Sequence, residues 1–143
     1  MKDAYINGKI IDGTKEMHVK EGYAILVEQG KIKDIVLQKE ADFTGYNVVD
    51  LEGNYIMPGL INMHVHLAGN GKPQKKQSDN AKLVNFLMSN PLTRAITHNM
   101  VRGFAEMELL SGVTTIRTVG GIKYFDTLVR DEINCGKKRG PRI

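Results

Sequence analysis

Ile56-Met57-Pro58-Gly59-Leu60-Ile61-Asn62-Met63-His64-Val65-His66-Leu67 is the stretch at which the pattern of this chain changes. Upstream of Pro58-Gly59 the punctuation is that of β-hairpins. Asn7-Gly8, a strong short-range turn signal, separates Ala4-Tyr5-Ile6 from Lys9-Ile10-Ile11. Gln29-Gly30 separates Tyr23-Ala24-Ile25-Leu26-Val27-Glu28 from the alternating Lys31-Ile32-Lys33-Asp34-Ile35-Val36. Glu52-Gly53-Asn54 separates Asn47-Val48-Val49-Asp50-Leu51 from Tyr55-Ile56-Met57. Three hairpins predict a small antiparallel sheet over residues 1–57.

Downstream, single strands alternate with helical stretches, the pattern of βα units with parallel strands, so residues 58–143 read as an α/β segment. The first strand is Leu60-Ile61-Asn62-Met63-His64-Val65-His66-Leu67, followed by a long polar loop to Asn80 and a short apolar run over residues 83–88. Asn90 and Pro91 supply an N-cap and first-turn pair, and Leu92, Ile96, Met100, Phe104 and Met107 predict the buried stripe of a helix ending at Ser111-Gly112. Val113-Thr114-Thr115-Ile116-Arg117-Thr118-Val119 is a β-branched strand closed by Gly120-Gly121. A second helix carries Phe125, Leu128, Val129 and Ile133 on one face, and Gly140-Pro141-Arg142-Ile143 reads as the threshold of a third strand. Met88, Met100 and Met107 are expected in the core, and Cys135 buried or half-buried.

At 143 residues the chain has one domain's length, and a (β/α)₈ barrel of roughly 250 residues cannot close within it. Its 41% apolar and 25% charged residues are ordinary globular composition. Lys137, Lys138, Arg139 and Arg142 account for the whole positive excess, leaving 16 cations against 16 anions. The basic balance therefore belongs to a short tail, and a nucleic-acid partner is not expected. Lys72, Lys75 and Lys76 read as a solvated loop. A lone cysteine forms no internal disulfide, the start lacks a secretory apolar stretch, and no run approaches 18 apolar residues. A cytoplasmic protein with no membrane partner is the expectation.

His64 and His66 lie two apart in a strand, so both side chains leave one face with Cα atoms about 6.5–7 Å apart and can converge on one ion. Neutral imidazole nitrogens suit zinc and related divalent ions. The pair sits toward the C-terminal end of the first strand of a βα series, the end at which barrel enzymes place their chemistry. The competing reading is a pair of cleft histidines satisfied by backbone carbonyls. His18 reads as a surface residue and His98 as lying off the apolar stripe of its helix. Arg117 reads as a strand-end residue bonding carbonyls in preference to a substrate contact. Gly69-Asn70-Gly71 lacks a full phosphate-binding fingerprint and reads as a flexible active-site loop.

The opening stretch, together with Ser111-Gly112-Val113-Thr114-Thr115-Ile116-Arg117-Thr118-Val119-Gly120-Gly121 and Gly140-Pro141-Arg142-Ile143, resembles the amidohydrolase superfamily. The resemblance is to its imidazolonepropionase-like and Xaa-Pro dipeptidase (prolidase)-like members. It implies a fold: an N-terminal β-sandwich, the urease-like composite domain, over residues 1–57. After it come the first two to three βα units of an incomplete TIM barrel over residues 58–143. It also implies metal-dependent hydrolysis of a carbon–nitrogen bond in an amide, cyclic amide or dipeptide. The ion, zinc by expectation and one or two per complete enzyme, would lower the pKa of a bound water and polarise the carbonyl.

Only His64 and His66 carry over as ligands; the family's later ligands and its general base have no counterpart here, so no catalytic residue is expected within this chain. A catalytic zinc uses three protein ligands plus water, and an N-terminal portion with two would not turn over alone. The alternatives are a non-catalytic remnant or interaction module, or half of a split enzyme. A small-molecule or dipeptide substrate, and homo-oligomerisation or association through exposed incomplete-barrel surface, complete the expectation. Two positions depart from the family pattern. Asn62 stands where an aspartate is usual, exchanging a charged partner for an amide, and Thr118 leaves Arg117 without its usual acidic neighbour.

Overall fold

The computed structural model describes residues 1–69 and 80–143, and the chain divides into two units, Met1–Pro58 and Gly59–Ile143. The Lys72, Lys75 and Lys76 cluster and most of the loop expected after the first histidine strand, including Asn70 and Gly71, lie outside the described residues.

The first unit holds seven strands: β1 (Lys2–Ile6), β2 (Lys9–Ile11), β3 (Val19–Lys20), β4 (Tyr23–Glu28), β5 (Lys31–Leu37), β6 (Asn47–Asp50) and β7 (Tyr55–Ile56). They form a four-stranded sheet in the order β5-β4-β1-β6 and a three-stranded sheet in the order β3-β2-β7. The hairpin at Gln29-Gly30 forms as the alternation predicts, with φ of 52° and 74° at the turn and β4 antiparallel to β5.

The other two expected hairpins do not form. β1 and β2 lie in different sheets, as do β6 and β7, while β1 runs parallel to β6 and β2 parallel to β7. Asn7-Gly8 and Glu52-Gly53 are therefore corners at which the chain passes from one sheet to the other. The two corners are bonded to each other: Leu51 N–H donates to Ile6 O at 2.9 Å, Gly53 N–H to Asn7 O at 2.7 Å and Lys9 N–H to Asn54 O at 3.0 Å. Gly8 is needed for that approach, since a Cβ there would overlap the Leu51 side chain. The positive φ that makes Asn-Gly a hairpin signal serves equally well for such a corner, and the antiparallel sheet expected from the dipeptides becomes a pair of mixed sheets. Ile10, Ile25, Val27, Ile35 and Ile56 line an apolar cleft of about 360 Å³ within this unit.

In the second unit β8 (Leu60–Val65) precedes α1 (Asn80–Leu87), α2 (Pro91–Leu110), β9 (Val113–Thr118) and α3 (Phe125–Asn134). β8 and β9 pair in parallel, and a parallel bridge from Thr115 to Arg142 adds the start of another strand on the far side of β9. The Asn90 side chain caps α2 by accepting from Thr93 N–H at 3.0 Å, with Pro91 in the first turn, as read from the sequence. Val65 and Leu67 of the histidine strand, Ile116 of β9, Val101 and Ala105 of α2, and Phe125 and Val129 of α3 form one buried cluster.

Two burial expectations are overturned. On α2 the buried positions are Thr97, Val101 and Ala105, whereas Leu92, Ile96 and Met107 are 70, 58 and 64% exposed. Phe104 and Met88 pack against the core, but Met100 and Met107 are not core residues. The helix is turned by about one residue, roughly 100°, from the orientation its apolar stripe predicts. Thr97 tolerates burial because its hydroxyl donates to Thr93 O at 2.9 Å. Cys135 is exposed, since it caps the C-terminus of α3 beyond the last buried turn.

Candidate metal centre

A strand shows alternate residues to opposite faces. Val65 and Leu67, 6 and 2% exposed, are held in the core of the second unit, so their neighbours His64 and His66 face away from it. The imidazoles converge: Nε2 of His64 and Nε2 of His66 are 3.3 Å apart, with ring centroids separated by 5.1 Å and planes inclined at 70°.

Two nitrogens bound to one tetrahedral zinc at about 2.0–2.1 Å stand roughly 3.3–3.4 Å from each other, the edge of the tetrahedron. The observed spacing therefore fits a shared ion. It also fits one neutral imidazole donating an N–H to the other, which requires opposite tautomers. The donor set is chemically suited to a borderline divalent cation. Among the described residues no third His, Cys, Asp or Glu joins the pair.

Neighbouring residues set the access. Two residues beyond the end of β9 stands Gly120, whose φ of 137° favours glycine and whose missing Cβ would lie 3.7 Å from His66 Nδ1. Behind the pair, Asn62 Oδ1 accepts the His64 backbone N–H at 3.2 Å. Arg117 is exposed and makes no hydrogen bond or ion pair with the described residues, so the carbonyl contacts expected of it do not form.

The other two histidines lie elsewhere. His18 is exposed in the first unit, as expected. His98 stacks on Phe125 with centroids 5.4 Å apart, and its Nε2 is buried 3.4 Å from Glu132 Oε2 without a hydrogen bond. Glu132 is gripped by both arms of Arg102, whose Nε donates at 2.6 Å. Burial first, then the Arg102 charge, push the His98 pKa below its usual value, while Glu132 partly opposes them. The Arg102 hydrogen bond holds Glu132 below the usual carboxylate range. This cluster joins α2 to α3, a structural role for a histidine that the rotated helix brings toward the core.

No family model matches the chain. A 5-methylthioadenosine/S-adenosylhomocysteine deaminase of Bacillus cereus (strain B4264) is 37% identical over 68 residues, which make up 47% of this chain and 16% of the relative. A dihydroorotase of Carboxydothermus hydrogenoformans is 36% identical over 70 residues, 42% of this chain and 16% of its own length. The solved structure of a Xaa-Pro dipeptidase with methionine bound in its active site superposes on 100% of this chain and 32% of its own, with a TM-score of 0.74 and 26% identity. A solved amidohydrolase matches 99% of this chain and 30% of its own, with a TM-score of 0.74 and 25% identity. In sequence and in fold the chain is similar to members of the amidohydrolase superfamily.

These superfamily relatives are hydrolases of carbon–nitrogen bonds, and each is matched over less than a third of its length. Of the residues that the amidohydrolase resemblance nominates, the structure brings His64 and His66 together. Asn62 stands out in the sequence as a departure from the family pattern, but its bond to the His64 N–H is not legible there, and neither is the approach of Gly120 to His66. An asparagine two residues before an N–H that needs an acceptor is the one local signal for the first. No described helix is long and apolar enough to cross a membrane.

Proposed function

We propose that this chain supplies the first metal-binding strand of a metal-dependent amidohydrolase, with His64 and His66 as the ligands. The 3.3 Å approach of their Nε2 atoms carries the reading, because it is the spacing that a tetrahedral divalent ion requires of two imidazoles. The parallel β8-β9 pair, covered by α2 and α3 and bridged onward to Arg142, supports the start of a TIM barrel in residues 58–143. The two mixed sheets support a composite β-sandwich over residues 1–57.

An ion held there, zinc by donor preference, would lower the pKa of a water and polarise the carbonyl of an amide, cyclic amide or dipeptide. This chain's own part is to hold two imidazoles on a strand anchored by Val65 and Leu67. Two ligands fall short of the three protein ligands of a catalytic zinc, so turnover draws on further ligands and a general base from outside these residues. A small-molecule or dipeptide substrate, a cytoplasmic setting and self-association through exposed apolar surface belong to the same proposal.

Equilibrium dialysis against zinc followed by elemental analysis tests it. The unaltered chain is expected to bind zinc, more weakly than a three-ligand site, and His64→Ala or His66→Ala to lose what is bound. Equal zinc content in all three proteins would refute the ligand assignment.

A further inference from the structure

β8 is irregular where it presents its histidines. Asn62 pairs with Ile116 and Val65 with Thr118, so three steps along β8 match two along β9, and Met63 and His64 have no register partners. The shift reverses an opposite one between Leu60 and Ile61 and leaves the first histidine within the irregular segment, and a bulge of this kind re-aims side chains and leaves a residue outside the ladder. Left unrestrained, the bulged segment could take several backbone geometries, each giving a different separation between the rings. The structure shows what restrains it: the Asn62 side chain turns back along its own strand, and Oδ1 accepts the His64 N–H at 3.2 Å, closing an i to i+2 turn across the bulge.

We propose that Asn62 is the positioning residue of the histidine pair, its side-chain carbonyl clamping the bulge so that His64 Nε2 is held against His66 Nε2. The role needs an acceptor on the γ-carbon and no charge. Asparagine and aspartate both meet that requirement, so the departure from the family's usual aspartate is neutral for this function. The inference concerns the metal site and rests on the reading of His64 and His66 as ligands.

The test uses the full chain and three variants, Asn62→Ala, Asn62→Asp and His66→Ala. It reads His64 amide hydrogen exchange and imidazole ¹⁵N shifts without metal, and zinc affinity by calorimetry. Asn62→Ala is expected to speed His64 exchange, shift the ring resonances and weaken zinc binding about tenfold or more, the usual cost of losing a group that orients a ligand. Asn62→Asp is expected to restore slow exchange and bind zinc at least as tightly as the unaltered chain. Unchanged exchange and ring shifts in Asn62→Ala, or failure of Asn62→Asp to restore them, would overturn the inference. Zinc affinity unchanged by His66→Ala would instead refute the ligand reading, and the metal-free shifts would still decide the role of Asn62.

Discussion

Gly120 lies beside the His66 ring in a backbone conformation that suits glycine. An alanine at that position would carry a Cβ 3.7 Å from His66 Nδ1 and would have to hold a φ of 137°, which L-residues rarely adopt. Gly120→Ala is therefore expected to destabilise the second unit by about 1 kcal/mol or more and to weaken zinc retention, measured by thermal melting and dialysis. In the first unit Glu28 is a carboxylate whose charge is tied to the fold. Its Oε1 accepts from Tyr46 Oη at 2.6 Å and Lys33 Nζ at 3.0 Å, with Lys2 Nζ at 3.2 Å, and these partners bring its pKa from 4.5 down to about 2. A lowered folded pKa means stability that is complete above the unfolded value and lost as protons bind. The contribution of Glu28 is thus expected to disappear as pH falls from about 4.5 toward 2. Glu28→Gln, compared with the unaltered chain in acid titrations of the first unit followed by circular dichroism, should flatten stability in that window. An unchanged acid limb would contradict the assignment.

α2 shows how an element's pattern and its orientation part company. Residues 92, 96, 100, 104 and 107 form the apolar stripe that periodicity predicts, yet the helix buries Thr97, Val101 and Ala105. Helical spacing is local and establishes that a helix exists. Which meridian faces inward depends on partners, here α3 and β9, and on the Arg102–Glu132 pair that ties α2 to α3. Removing that pair by Arg102→Ala is expected to lower stability by about 1–2 kcal/mol, the range for a partly exposed charge-assisted contact. The same change takes away one of the two influences that depress His98, so the His98 pKa should rise. An NMR titration that finds it unmoved would show that the Arg102 charge has no part in it.

At the scale of the whole molecule, α2 and β8 both carry exposed apolar surface: Leu92, Ile96, Met107, Ile61 and Met63 are each more than half exposed. Such surface favours association. Sedimentation velocity is expected to show self-association that grows with concentration and that Leu92→Glu with Ile96→Glu reduces. A monomer at all concentrations would remove this surface from consideration. The sequence by itself determined the parts governed by local chemistry: the Gln29-Gly30 turn, the capped α2, the βα alternation after Pro58-Gly59, and two histidines on one strand face. Each follows from backbone preferences and side-chain periodicity within a few residues. Only the tertiary structure decided that Asn7-Gly8 and Glu52-Gly53 are paired corners between sheets and not hairpins, because that depends on bonds between segments more than forty residues apart. It likewise decided which face of α2 is buried, that Cys135 is exposed, and that the two Nε2 atoms stand 3.3 Å apart. That last distance is set by a bulge whose register depends on β9, a strand that lies far along the chain from the histidines it aligns.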